Sequence, residues 1–237
     1  VLDRVDLRVE AGAVHALIGP NGSGKTTLLN CVSGIVAPDA GTMTFDGVAI
    51  DRLRPHARAR LGLARTFQNI NLFAGMTVLD NVLVGAHCRT HAGLARAWTR
   101  LPFVEPTEER ETRRRARLLL EMVGLGGRET DHADALPLAD QRRVEIARAL
   151  AAEPRLVLLD EPAAGMNATE KRGMNALIRR IVDGGTSVVL VEHDIALVMD
   201  VSSAVTVLNF GEKIAEGKPD AVRTDARVVE AYLGRDG

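Results

Sequence analysis

The sequence predicts an α/β fold: a mostly parallel sheet core with antiparallel N-terminal strands and an inserted α-helical subdomain. Two observations carry this expectation. Apolar runs of strand length alternate with helix-period segments at both ends of the chain, in 1–72 and 151–237. That alternation is the pattern of a parallel sheet covered on both faces. Between them, about 73–150, the periodicity is helical alone, as for a subdomain inserted into the core.

Val5–Val9 alternates apolar and charged residues and predicts a half-exposed strand. Ala13–Ile18 is a mostly apolar run ending at Gly19, and predicts a buried one. A helix over Lys25–Ser33 is stopped by Gly34. Thr42–Phe45 and Val48–Ile50 flank Asp46-Gly47, a strong hairpin signal. Gly62–Phe67 predicts another strand. Thr77–His87 places Val78, Leu79, Val82 and Leu83 on one helical face. Glu108–Val123 predicts a charged helix, with Glu109 and Arg113 as an i,i+4 pair; its Arg113–Arg115 run is a solvated face. A further helix runs from after Asp140 to about Ala152. Then come strands over Leu156–Asp160 and Thr186–Val191, and helices over Thr169–Val182 and Asp194–Val201. Ala204–Phe210 and Lys213–Glu216 predict a hairpin around Gly211, and two short helices near 220–223 and 225–233 close the chain. Residues 87–106, with Trp98, carry no clear period.

Composition excludes several classes. Thirty basic against 31 acidic residues leave a net charge of −1, so no bulk electrostatic argument favours nucleic acid. No apolar stretch approaches the ~20 residues of a membrane helix. Cys31 and Cys88 show no CxxC spacing and read as free thiols, and the six histidines show no metal-ligand spacing.

Gly19-Pro-Asn-Gly-Ser-Gly-Lys-Thr26 fits G-x-x-x-x-G-K-[ST] and lies between a predicted strand and a predicted helix. Phosphate oxygens need many donors at close range, and side chains obstruct them. Gly22 and Gly24 let backbone N–H groups of Asn21–Thr27 turn inward, and the helix N-terminus adds its dipole. Lys25 is expected to reach the β- and γ-phosphates, and Thr26 to ligate Mg²⁺. The core is therefore expected to be of the P-loop NTPase (RecA-like) kind. Leu156–Asp160 is an apolar strand delivering two carboxylates at its end, Asp160 toward Mg²⁺ and Glu161 toward the attacking water.

With these residues the sequence resembles the nucleotide-binding domain of ABC transporters, along essentially the whole chain. The resemblance implies that Gln68, in Thr66-Phe67-Gln68-Asn69, links the Mg²⁺ site to membrane subunits. It implies that His193, in Val191-Glu192-His193-Asp194, contacts the γ-phosphate. Lys25, Glu161 and His193 are the implied catalytic residues. Asn21, Gly22, Ser23, Gly24, Lys25, Thr26, Thr27 and Gln68 are the nucleotide-binding residues, and Thr26, Gln68 and Asp160 the metal set. Gly62–Asn69, Leu72–Val82, Pro162–Asn167 and Glu230–Gly234 are similar to the ATP-binding subunits of branched-chain (hydrophobic) amino acid importers. Urea importers have near-identical motifs.

The family's signature loop is typically Leu-Ser-Gly-Gly-Gln; here Leu136 is followed by Pro137, Leu138, Ala139, Asp140 and Gln141. That loop offers backbone N–H groups to ATP held by a partner subunit. Pro137 has no N–H, Ala139 adds a Cβ, and Asp140 is expected to be the N-cap of the following helix. Asp140 also sets a carboxylate toward phosphate: like charges ~4 Å apart repel by about 4 kcal/mol at an effective dielectric near 20. The expectation is an asymmetric pair of sites. The family also stacks adenine on an aromatic residue roughly 25–30 positions before the P-loop lysine. No aromatic precedes Phe45, and the chain starts at Val1, so the N-terminal edge of the domain is expected to be missing.

The resemblance implies an ATP- and Mg²⁺-dependent ATPase subunit at the cytoplasmic face of the membrane. Its implied partners are integral membrane permeases, a second ATP-binding subunit (a heterodimer or a homodimer) and, indirectly, an external substrate-binding protein. Three alternatives stand beside it: a urea or small polar solute importer, a soluble ATPase of the same family acting on DNA or the ribosome, and a catalytically weak regulatory subunit of a heterodimer.

Overall fold

The computed structural model describes residues 2–86 and 107–233. The chain divides into two units, Val1–Gln68 with Arg155–Gly237, and Asn69–Pro154.

The first unit is built on a six-stranded sheet. In chain order its strands are β1 (Val14–Ile18), β4 (Leu63–Arg65), β5 (Leu156–Asp160), β6 (Ser187–Val191), β7 (Ala204–Asn209) and β8 (Glu212–Gly217); β2 (Thr44–Phe45) and β3 (Val48–Ala49) form a separate hairpin. The sheet order is β4-β5-β6-β1-β7-β8, parallel except for the antiparallel β7–β8 edge. β1, β5 and β6 are buried along their whole length. Their mostly apolar runs follow from that position, since central parallel strands have no solvated face; the buried His15 in β1 is paired with the Thr206 hydroxyl at 2.8 Å. Leu17, Leu158, Val189 and Val191 pack with Leu28 and Leu29 in one core cluster; Ile18, Val198, Val205 and Val207 pack in another.

The helices of this unit are α1 (Lys25–Ser33), α2 (Pro55–Arg60), α6 (Ala168–Asp183), α7 (Ile195–Val201), α8 (Pro219–Arg223) and α9 (Ala226–Leu233). α1 starts after Gly24 (φ 106°) and stops at Gly34 (φ 80°), both left-handed. α6 opens with a capping box, in which Asn167 accepts the Thr169 and Glu170 N–H groups and Glu170 accepts that of Asn167. Asp194 caps α7 through the Leu197 N–H.

Three expectations are corrected here. Val5–Val9 forms no strand. Val5, Leu7 and Val9 do pack against the core, as the alternation requires. Alternation sets a face, however, and a strand also needs a ladder partner. The antiparallel N-terminal strands therefore reduce to the β2–β3 hairpin. The second helix, α2, has no counterpart in the periodicity, because Pro-His-Ala-Arg-Ala-Arg shows no apolar stripe. Its signal was Pro55 at the first helical position. Its anchor is Arg58, buried, donating to the Cys31, Val32, Leu53 and Asp51 carbonyls at 2.5–3.2 Å.

The second unit holds α3 (Val78–Ala86), α4 (Thr107–Met122), a 3₁₀ turn at Ala133–Ala135, and α5 (Leu138–Leu150). α3 packs on both α4 and α5. Gly85 permits close approach: a Cβ there would lie 1.9 Å from the Arg148 carbonyl oxygen. The third correction concerns α5, which begins at Leu138, before Asp140. His87, Cys88, Trp98 and the rest of 87–106, together with Gly234, lie outside the described residues.

Candidate nucleotide site

β1 delivers the chain to the carboxyl end of the parallel strands at Gly19. The backbone there has φ 149°, and an added Cβ would fall 2.1 Å from the Leu208 carbonyl oxygen of the neighbouring strand. The loop closes through the Ser23 N–H to the Pro20 carbonyl, 3.1 Å, and is braced from outside by the Gly211 N–H to the Ser23 carbonyl, 3.0 Å. Gly22 (φ 80°) and Gly24 take conformations that side-chain-bearing residues rarely adopt. Lys25 is buried, and its ammonium donates to the Gly19 and Pro20 carbonyls at 2.7 and 3.0 Å. The lysine thus holds the loop that surrounds it. α1 has no side-chain cap at its N-terminus, which leaves its first N–H groups to an anion.

A cavity of about 620 Å³ opens at this loop, lined by residues 21–27 together with Gln68, Glu161 and His193. β4, β5 and β6 bring the last three together from positions far apart in sequence. Glu161 is the centre of the group. Its Oε1 lies 2.7 Å from His193 Nε2, and its Oε2 accepts the Gln68 amide at 3.1 Å.

Asp160, one residue earlier, is buried at the end of β5 and does not line the cavity. Arg65 Nη2 donates to its Oδ2 at 3.1 Å, and the Thr66 hydroxyl accepts its backbone N–H at 3.3 Å. Arg65 also donates to Asn30 Oδ1 and Ser33 Oγ on α1. Burial pushes the Asp160 carboxyl up, opposed by the Arg65 hydrogen bond and charge. The Thr26 hydroxyl, the Gln68 amide and the Asp160 carboxylate are hard oxygen donors, the type Mg²⁺ takes. Among the described residues there is no cluster of three or more His, Cys, Asp or Glu residues suited to a metal. A metal here would therefore rest on few protein ligands plus phosphate oxygens.

Two residues of this site have no role in the sequence reading. Arg65 lies three positions before Gln68, and Glu192 sits between Val191 and His193. Glu192 is buried, accepting the Ala163 N–H at 2.8 Å and the His193 N–H at 3.2 Å. The available signal was a charged residue continuing an apolar strand, which gives no hint of a partner 29 positions away.

In the second unit Pro137 occupies the N-cap position of α5, with no side-chain cap. Asp140 sits in the first turn. Its two oxygens pair with Arg143 and Arg128, each at 3.1 Å, and Arg128 reaches Asp131 as well. The Asp140 charge is thus compensated within the unit, so the unscreened repulsion expected of it is reduced. Gln141 donates to the Leu136 carbonyl at 2.8 Å, and Leu138 is exposed.

Residues 2–164 match the family model described as ABC transporter. The chain belongs to the ABC transporter family. Residues 212–237 of this ABC chain match a second model, the branched-chain amino acid ATP-binding cassette transporter. The chain is 40% identical over 231 residues to the high-affinity branched-chain amino acid transport ATP-binding protein BraF of Pseudomonas aeruginosa, covering 97% of this chain and 90% of the relative. It is similar to the crystal structure of an ABC transporter ATP-binding cassette in its ADP conformation, with TM-score 0.85 and 31% identity over 99% of this chain and 92% of the other. It is also similar to a dimeric cassette in a post-hydrolysis state bound to ADP and Pi, with TM-score 0.74 and 28% identity over 92% and 90% of the two chains. Among the described residues of the cassette, no helix is long and apolar enough to cross a membrane.

Proposed function

We propose that this ABC cassette binds and hydrolyses ATP to energise membrane import of branched-chain or other hydrophobic amino acids. The observation that carries the reading is the placement of Glu161 between His193 and Gln68, on the cavity that the P-loop also lines.

The P-loop N–H groups and Lys25 bind the phosphate chain. Thr26 and Gln68, which line the cavity, would hold Mg²⁺, with Asp160 behind them acting through the ion's water shell; when bound the ion supplies positive charge to the phosphates. Glu161 orients a water and takes its proton as the water oxygen bonds to the γ-phosphorus. The bond from that phosphorus to the β–γ bridging oxygen breaks in line, and ADP carries the electron pair away. His193 holds Glu161 in place and donates toward the γ-phosphate. Lys25 stabilises the charge that develops in the transition state.

The branched-chain match at residues 212–237 and the BraF relative support the amino acid class and, with it, permease partners at the cytoplasmic face. The dimeric relative supports action as a pair of cassettes. Pro137 favours a heterodimer, because it removes an N–H from the helix start that would face the partner's ATP. A regulatory, slowly hydrolysing subunit is the second reading, and the same residue supports it.

The test combines chemistry and uptake. Glu161→Gln is expected to lower turnover by about 10²–10⁴-fold while equilibrium ATP binding stays within about threefold. Unchanged turnover in that variant would overturn the role of Glu161. Deleting the gene and following labelled leucine, valine and urea separately decides the cargo: loss of leucine and valine uptake supports the proposal, and loss of urea uptake alone overturns it.

A further inference from the structure

Glu161 pays a conformational cost for its position. Its φ is 51°, a left-handed backbone rare outside glycine. Such a conformation is strained and persists only where the surroundings over-determine it. Here the surroundings are the end of β6. The Glu161 N–H donates to the Val191 carbonyl at 2.9 Å, and the Ala164 N–H returns to the Glu161 carbonyl at 3.2 Å.

The remaining grip on that turn is a side chain. Glu192 Oε1 accepts the Ala163 N–H, two residues beyond Glu161, while Oε2 accepts the N–H of His193. Glu192 is 4% exposed. A carboxylate buried without a directly bonded cation is expensive: Lys171 lies only within electrostatic reach, and burial pushes the Glu192 carboxyl up, against the backbone N–H groups of Ala163, His193 and Asp194. Packing alone would be served at lower cost by leucine or methionine. Two acceptor oxygens on one rigid plane can receive two N–H donors from different loops, which an apolar side chain cannot.

We infer that Glu192 is a positioning residue for the Glu161–His193 pair: one buried carboxylate ties together the turn after Glu161 and the backbone of His193. It fixes both ends of the 2.7 Å contact between the two side chains. It touches neither the nucleotide nor the water itself. Misplacing a reacting group by about 1 Å can cost about 10²-fold in rate, so the effect belongs in turnover. The P-loop donors, on α1 and its preceding turn, are untouched.

This rests on Glu161 being the base, and the experiment separates the two claims. Glu192→Gln keeps the shape but replaces one acceptor by a donor, so it cannot receive both N–H groups. With a fluorescent ATP analogue for affinity and steady-state hydrolysis for turnover, kcat is expected to fall about 10- to 100-fold, with nucleotide affinity within about twofold. In the Glu161→Gln background the same change is expected to cost nothing further, because groups acting as a unit are non-additive. Should Glu192→Gln not fold, Glu192→Asp, which withdraws both oxygens by one methylene, is read the same way, with the same expected split. A folded variant with wild-type kcat, an equal loss of affinity and turnover, or losses that multiply in the double variant would each overturn the inference. Wild-type turnover in Glu161→Gln alone would instead overturn the base assignment beneath it.

Discussion

Gly19 and Arg65 show how single residues set this site. A methyl group at Gly19 would strike the Leu208 carbonyl, a backbone atom held in the sheet, at 2.1 Å. Gly19→Ala is therefore expected to displace the loop, weakening ATP binding by about tenfold or more, since overpacking of this kind costs about 1–3 kcal/mol. Titration with a fluorescent nucleotide, beside a thermal melt, checks it. Arg65 is different in kind: its ion pair with Asp160 is buried on both sides, 6% and 2% exposed. Arg65→Met leaves that carboxylate without its cation and is expected to cost about 3–5 kcal/mol, read from urea unfolding; a loss below 1 kcal/mol would show that the pair carries little. The phosphate loop was legible in the sequence because its chemistry is local, a strand, a turn and a helix in eight residues. Arg65 and Glu192 were not, because their partners lie 95 and 29 positions away.

Elements differ in how much local pattern controls them. α6 and α7 begin where their capping residues stand, and β1, β5 and β6 occupy the apolar runs that mark them. α2 owes its existence to Arg58, whose guanidinium takes the carbonyls at the end of α1. Arg58→Met is expected to leave buried carbonyls unpaired and to lower stability by about 1–3 kcal/mol, measured as a shift in the urea midpoint at constant slope. In the second unit the crossing of α3 and α5 depends on Gly85. A Cβ there would meet the Arg148 carbonyl at 1.9 Å, so Gly85→Ala is expected to destabilise this unit, visible as earlier amide exchange in α3 and α5 than in the sheet. The failed strand at Val5–Val9 teaches the same point from the other side. Its apolar face is used, but no neighbour supplies the ladder.

At the scale of the whole molecule, the proposed pairing of two cassettes makes a prediction about how the two sites divide the work. Pro137 withholds one donor from the start of α5, whereas Asp140 is already balanced by Arg128 and Arg143. The missing N–H, more than the added carboxylate, is thus what should weaken the site facing it. Loss of one preorganised donor typically costs about 10²–10³-fold in rate. A homodimer of this chain is expected to turn over slowly, and pairing with a subunit carrying Ser-Gly-Gly-Gln to raise the rate at least tenfold. Restoring the serine alone, Pro137→Ser, is expected to recover most of that gain. Equal ATPase rates for the homodimer and the mixed pair would refute the asymmetry.

Local pattern was enough for the phosphate loop, for most of the order of strands and helices, and for the family, because each is written in contiguous motifs and short periodicities. It took the folded chain to show that Gln68, Glu161 and His193 meet on one cavity, that Arg65 neutralises Asp160, and that Glu192 spans two loops. These are pairings across parallel strands. In a parallel sheet each neighbour arrives through a crossover of a dozen residues or more, so nothing in the local pattern records which side chains the strand order will bring together.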